Sequence, residues 1–118
     1  MSNNLTKLKE IDGFIGGCLV DSDSGLMLSS VDGNGTLDLE TAAAANMEVV
    51  RAKNAAIKSL GLEDSIEDIL ISLGGQYHLI RPLDANPDIF IYVALDRKKS
   101  NLGLARIAVK KIEGVIKI

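Results

Sequence analysis

A chain of 118 residues, 47% hydrophobic and 25% charged, has the size and balance of one globular domain with a single core. A net charge of −3, basic residues no denser than the doublets Lys98-Lys99 and Lys110-Lys111, and no Trp speak against a nucleic-acid surface. One cysteine leaves no internal disulfide, the polar start Met1-Ser2-Asn3-Asn4 lacks a secretory signature, and no apolar run reaches spanning length, so a reducing, cytoplasmic setting without membrane insertion is expected.

Leu5, Leu8 and Ile11 recur at spacing three and predict a short amphipathic helix closed by Gly13. Phe14 to Ser22 reads as a strand. The polar turn Asp21-Ser22-Asp23-Ser24-Gly25 returns it as Leu26 to Val31, a hairpin. After a glycine-rich loop, Asp38 is the expected N-cap of a long helix that Gly61 ends in a left-handed cap, with Leu62 placed for the hydrophobic contact that follows such caps. Three strands come next. Ser65 to Leu73 and Gln76 to Leu83 flank Gly74-Gly75, a two-residue turn, and Ile89 to Leu95 is apolar enough to be central. A last helix runs from Ser100 or Asn101 to Val115. Its core stripe is Leu102, Ala105, Val109, Ile112 and Ile116, widened by Leu104, Ile107 and Ala108.

The tight connections predict a mainly antiparallel sheet. The apolar last strand predicts helices on both of its faces. Gly16-Gly17 inside the first strand marks a bulge or a close helix approach.

The long helix carries more apolar surface than one core face uses. At 100° per residue, Ala42, Ala45, Val49, Ala52, Ala56 and Leu60 form one stripe. Ala43, Met47, Val50 and Ile57, with Asn54 among them, form a second, and Glu40, Glu48, Arg51 and Lys58 share the remaining side. The arc exceeds the width a single sheet covers. The expectation is that the second stripe packs on the same helix of another copy. The strand from Ile66 to Leu73, with Ile69 and Ile71, has few of the charges or prolines that guard an edge, so it is expected to pair with its own copy across a two-fold axis.

Chemistry-bearing patterns are sparse. No GxxxxGK[ST] is present for a nucleotide triphosphate. Asp21, Asp23 and Asp32 do not form a calcium loop, because Leu26 stands where that loop needs glycine. Cys18 lies in an apolar strand with no neighbouring base, and Ser29 and Ser30 have no nucleophile-elbow context. A single histidine, His78, cannot build a histidine-rich metal site. No catalytic residue, cofactor or metal is therefore expected. Arg81 and Arg106 are the cations to follow.

Several of these stretches together resemble the Roadblock/dynein light-chain family. The carriers are Ile11-Asp12-Gly13 leading into FIGGCLVDSDSGLMLSS, the alanine-rich helix, ILISLGGQYHLIRPL, and above all Asn101-Leu102-Gly103-Leu104-Ala105-Arg106 directly after the last strand. The resemblance implies an α+β, profilin-like α-β-β-α-β-β-β-α sandwich, with a five-stranded antiparallel sheet, the long helix on one face and the two terminal helices on the other. It also implies dimers joined edge to edge with the long helices packed together. The implied role is that of a non-catalytic regulator or scaffold for a small Ras-like GTPase, of the stand-alone prokaryotic type. The chain would then be one Roadblock-like domain over residues 1–118.

On that reading the dimer interface is Ala43, Met47, Val50, Asn54, Ile57, Ile69 and Ile71, and the partner ridge is Glu48, Arg51, Ala55 and Lys58. Arg51 is also the one candidate for an arginine finger. The competing expectation is a small-molecule sensor whose pocket is lined by Tyr77, His78 and Arg81.

Overall fold

Order begins with a period of three. The computed structural model describes residues 5–116, and it opens with a 3₁₀ helix over Leu5–Glu10 rather than an α-helix. The spacing of Leu5, Leu8 and Ile11 is the repeat of a 3₁₀ helix, in which i and i+3 eclipse. The tighter bonding continues past it, with Ile11 N–H to the Leu8 carbonyl and Phe14 N–H to the Ile11 carbonyl, both 3.1 Å.

Five strands follow: β1 (Phe14–Asp21), β2 (Met27–Asp32), β3 (Ile69–Ser72), β4 (Gln76–Pro82) and β5 (Ile89–Asp96). They form one sheet in the order β2-β1-β5-β4-β3, antiparallel at every pairing. The most apolar strand is central, as its composition required. Both of its faces are covered because each needs its own core.

One core lies between the sheet and the 3₁₀ helix with α2 (Leu102–Glu113), and is built from Leu5, Leu8, Leu19, Leu79, Ile91, Val93, Leu95 and Val109. The other lies between the sheet and α1 (Leu39–Ser59), from Ile15, Cys18, Val20, Ala43, Val50, Ile80, Phe90 and Tyr92. Gly17 lets the first layer close: a Cβ there would stand 2.8 Å from Leu8 Cδ1. The expected bulge is also present, where the β1–β5 register slips between Phe14 and Gly16.

α1 carries the chain from the β2 edge to the β3 edge. Asp38 caps it, accepting from Thr41 N–H at 3.1 Å and Thr41 Oγ1–H at 2.7 Å. These two bonds, the hydroxyl's first, hold the Asp38 carboxyl below the usual carboxylate range. At the other end Gly61 adopts φ 68°, its N–H bonds the Lys58 carbonyl, and Leu62 N–H reaches the Ile57 carbonyl at 3.2 Å. That double bond pattern is a Schellman cap.

Two further elements differ from expectation. β3 starts at Ile69, and residues 63–68 carry no regular structure. The charges Glu63, Asp64, Glu67 and Asp68 break the alternation a strand needs. On α2, Leu104 and Ile107 do not widen the core stripe. They are 64% and 54% exposed, while Ala105, Val109 and Ile112 are buried. The short 3₁₀ helix leaves an open groove of about 360 Å³ beside Leu104 instead of a wall against it.

Candidate functional site

The face of α1 that meets the sheet decides where any partner must go. Ala43, Asn46 and Val50 point inward and are buried, with Leu39 and Ile57 partly buried on the same line. Ala43 and Val50, expected at an interface with a second copy, are 0% and 1% exposed inside the chain's own core, and this removes them from such an interface. Met47 is also taken up internally, lying beside Gly25 of the β1–β2 turn. Asn54 is exposed, and Ile57, Ile69 and Ile71 are half-buried.

The physical reason lies in side-chain volume. The space between a helix and a sheet must be filled to native density. Met47, Val50 and Ile57 can fill it, whereas the alanines of the other stripe cannot. Asn46 escapes a hydrophobic pattern because it is polar. It sits on the inward line by spending its amide Nδ2–H on the Ala42 carbonyl, 2.8 Å away.

The apolar face left to solvent is therefore the first stripe. Ala45 and Ala52 are exposed, Val49 and Ala56 partly so, and Leu60 is 68% exposed. Beside the second half of this stripe opens a groove of about 800 Å³. Val49, Ala52, Ala56 and Ile57 form its helix side. Leu62, Ile66 and Ile69 form the other, with Lys53, Asp64, Glu67 and Asp68 also on its lining. α1 packs on β1 and β2, so its far half stands clear of the opposite edge and leaves this space. β3 closes that side of the sheet as an edge strand with no neighbour beyond it among the described residues. Groove, alanine stripe and free strand edge thus meet at one margin.

The outward ridge carries Glu48, Arg51, Ala55 and Lys58, all exposed. Arg51 is already engaged. Its Nη2–H donates to the Asp23 carbonyl and its Nη1 lies 3.8 Å from Glu48 Oε1.

Tyr77, His78 and Arg81 do not converge, because alternate residues of a strand face opposite sides. Tyr77 and Arg81 face the α2 side, where the Arg97 guanidinium lies over the Tyr77 ring at 5.1 Å. His78 faces the α1 side. Its Nδ1 accepts from the Tyr92 hydroxyl at 3.2 Å while Nε2–H donates to Gln76 Oε1 at 2.7 Å. None of the three lines the groove beside Leu104, the groove beside α1 or the cleft between Asp12 and Lys99.

Arg81 and Arg106 belong to a four-charge network. Arg81, its side chain 5% exposed, donates from Nε to Glu113 Oε1 at 2.8 Å. Arg106 grips Asp68 with Nε at 3.0 Å and Nη2 at 2.8 Å from Oδ2. The sequence carries no signal for the carboxylate partners, which lie 32 and 38 residues away. Cys18 is inert in this setting, since burial pushes its thiol up to about 12. No cluster of His, Cys, Asp and Glu that could hold a metal occurs among the described residues, and no helix among them is long and apolar enough to cross a membrane.

Solved structures share this architecture. MglB of Myxococcus xanthus matches with a TM-score of 0.81, over 94% of this chain and 86% of that one, at 19% identity. A Roadblock/LC7 domain from Streptomyces avermitilis matches at 0.77, over 92% and 86%, with 14% identity. An MglB with a tetrameric arrangement matches at 0.78, over 93% and 79%, with 17% identity. No protein-family model matches the sequence, and no curated protein does.

Proposed function

We propose that this chain, which has the Roadblock/LC7 fold, works as a non-catalytic dimeric regulator or scaffold for a small Ras-like GTPase in the cytoplasm. The observation that carries the proposal is the margin where the solvent-facing alanine stripe of α1, the apolar groove and the β3 edge run together. Alanines bring little area each but let another backbone approach closely. An unpaired strand edge recruits a matching strand. A two-fold axis beside β3 would extend the sheet and lay Ala45, Ala52 and Ala56 of each copy against those of the other. The tetrameric arrangement of a fold-mate supports self-association of this architecture.

In this dimer the ridge of Glu48, Arg51, Ala55 and Lys58 stays outside and presents mixed charge to a partner. The regulator would act by favouring one conformation of the partner's switch segments over another. Arg51 serves docking in this reading and not as a finger, since its guanidinium is anchored on the Asp23 carbonyl and Glu48.

Light scattering across a concentration series, with wild type and Ala52→Glu compared, tests the dimer. Twice the subunit mass for wild type and one subunit for the variant are expected. Capture of a nucleotide-loaded small GTPase from the source cells, lost with a Glu48→Lys, Lys58→Glu double variant, tests the partner. A wild type that stays a monomer at every concentration overturns the reading.

A further inference from the structure

The groove has one wall of unusual construction. Past the Leu62 N–H bond that completes the α1 cap, residues 63–68 make no backbone-to-backbone hydrogen bond among the described residues. Their one backbone donor with a partner is local, Ser65 N–H to Asp64 Oδ1 at 2.8 Å. Ile66 lies on the groove, but an irregular segment held only by a half-buried side chain would be free to swing.

What anchors the wall is Asp68, and its anchor lies on the opposite face of the sheet. Arg106 of α2 takes both carboxylate oxygens, with Nη2 at 3.0 Å from Oδ1 and 2.8 Å from Oδ2. Such fork-on-carboxylate pairs fix geometry as well as charge. Behind them stands Arg81, Nη1 at 4.0 Å from Asp68 Oδ2, itself held by Glu113 of α2. Glu113 also accepts from Asp84 N–H at 3.3 Å. Two guanidinium groups and two carboxylates thus form a neutral chain from Glu113 through Arg81 and Asp68 to Arg106, with the Asp68 side chain only 12% exposed and that of Arg106 48%.

We infer that Asp68 is a latch: through Arg106 it lets α2 set the position of the groove wall on the far side of the sheet, so that the state of α2 and occupation of the groove are linked. The linkage rests on the proposed use of the groove for self-association; the latch does not. Arg106 is the exposed member, one residue from Ile107 and two from Leu104 on the outward side of α2. A protein that docks there and offers Arg106 its own carboxylate competes directly with Asp68. By reciprocity, a groove filled by a second copy holds Asp68 in place and disfavours such a competitor.

The test uses a glutamate-specific protease on the whole chain, because Glu63 and Glu67 lie in the wall while Glu40 and Glu48 lie in α1. Arg106→Gln is expected to speed cleavage at Glu63 and Glu67 at least tenfold with Glu40 and Glu48 unchanged, and to weaken self-association at least tenfold. Arg106→Lys keeps the charge without the fork and is expected in between. Equal cleavage in wild type and variant overturns the latch. So does uniform acceleration at all four sites, which reports only general stability. Faster wall cleavage with unaltered self-association overturns the link between α2 and the groove. A wild-type chain that is monomeric at every concentration fails the proposed function instead, and the cleavage pattern still decides the latch.

Discussion

The Tyr92 hydroxyl lies 3.2 Å from His78 Nδ1, with the two rings edge to face at 5.4 Å and 86°. The sole histidine of the chain thereby sits in the layer between β4 and α1. Burial holds its pKa below the ordinary 6.5. The unfolded chain therefore binds the proton more readily, and stability rises with pH in that window. The contribution is complete above about pH 6.5 and is lost as the pH falls toward the folded value. Thermal melts from pH 7.5 to 5 should show a falling midpoint that flattens in His78→Gln. An unchanged slope in the variant removes His78 as the cause.

Val50 and Ala52 are two residues apart on α1 and have opposite surroundings, one 1% exposed and the other open to solvent. Val50→Ala should destabilise the chain by about 2 kcal/mol through lost burial and a cavity. Ala52→Glu should stay within about 0.5 kcal/mol, as surface changes do, when measured under dilute monomeric conditions. Urea unfolding of both variants separates the two faces of the helix.

The Arg81–Glu113 pair is shielded on both sides, with side chains 5% and 7% exposed. Removing one partner strands the other in a medium that penalises charge. Arg81→Met should cost about 3–5 kcal/mol, whereas Arg81→Met with Glu113→Leu should recover most of that loss. A double variant as unstable as the single would show that the carboxylate's bond to the Asp84 amide matters more than the ion pair.

Gly61 holds φ 68°, and a Cβ at this position would have no neighbour within 4 Å. Gly61→Ala therefore meets no clash, and the backbone alone opposes it. The expected cost is about 1–2 kcal/mol, read as a lower melting midpoint, and Gly61→Asn should cost less because asparagine tolerates the left-handed region.

Cys18 is buried, with its thiol pushed up to about 12 by desolvation. Thiol reagents at pH 8 should label the native chain far more slowly than the urea-unfolded one. Equal rates would place Cys18 at an accessible surface.

The features legible in the sequence follow local rules. Asp38 and Gly61 bound α1 because caps depend on a few adjacent residues, and β5 takes the centre because only a strand covered on both faces tolerates its composition. The orientation of α1 is not legible in the same way, because a helical wheel weighs alanine and valine alike, and packing does not. Asn46 is hidden for a related reason: its local bond to Ala42 conceals its polarity. Asp68 looks like a strand-end charge, since nothing near it in sequence announces Arg106. Contacts that span a third of the chain leave no periodic trace.

The place of β5 in the sheet has a consequence for biosynthesis. It is the last strand of this sheet to leave the ribosome, yet both β1 and β4 pair with it. Until it emerges, the β1–β2 hairpin and the β3–β4 hairpin are two islands with no common partner, each exposing apolar side chains and an unpaired strand edge to solvent. Long-range pairing of this kind is slow. The nascent chain should therefore depend on holding chaperones late in translation, and truncation before Ile89 should yield aggregates, not a smaller folded unit.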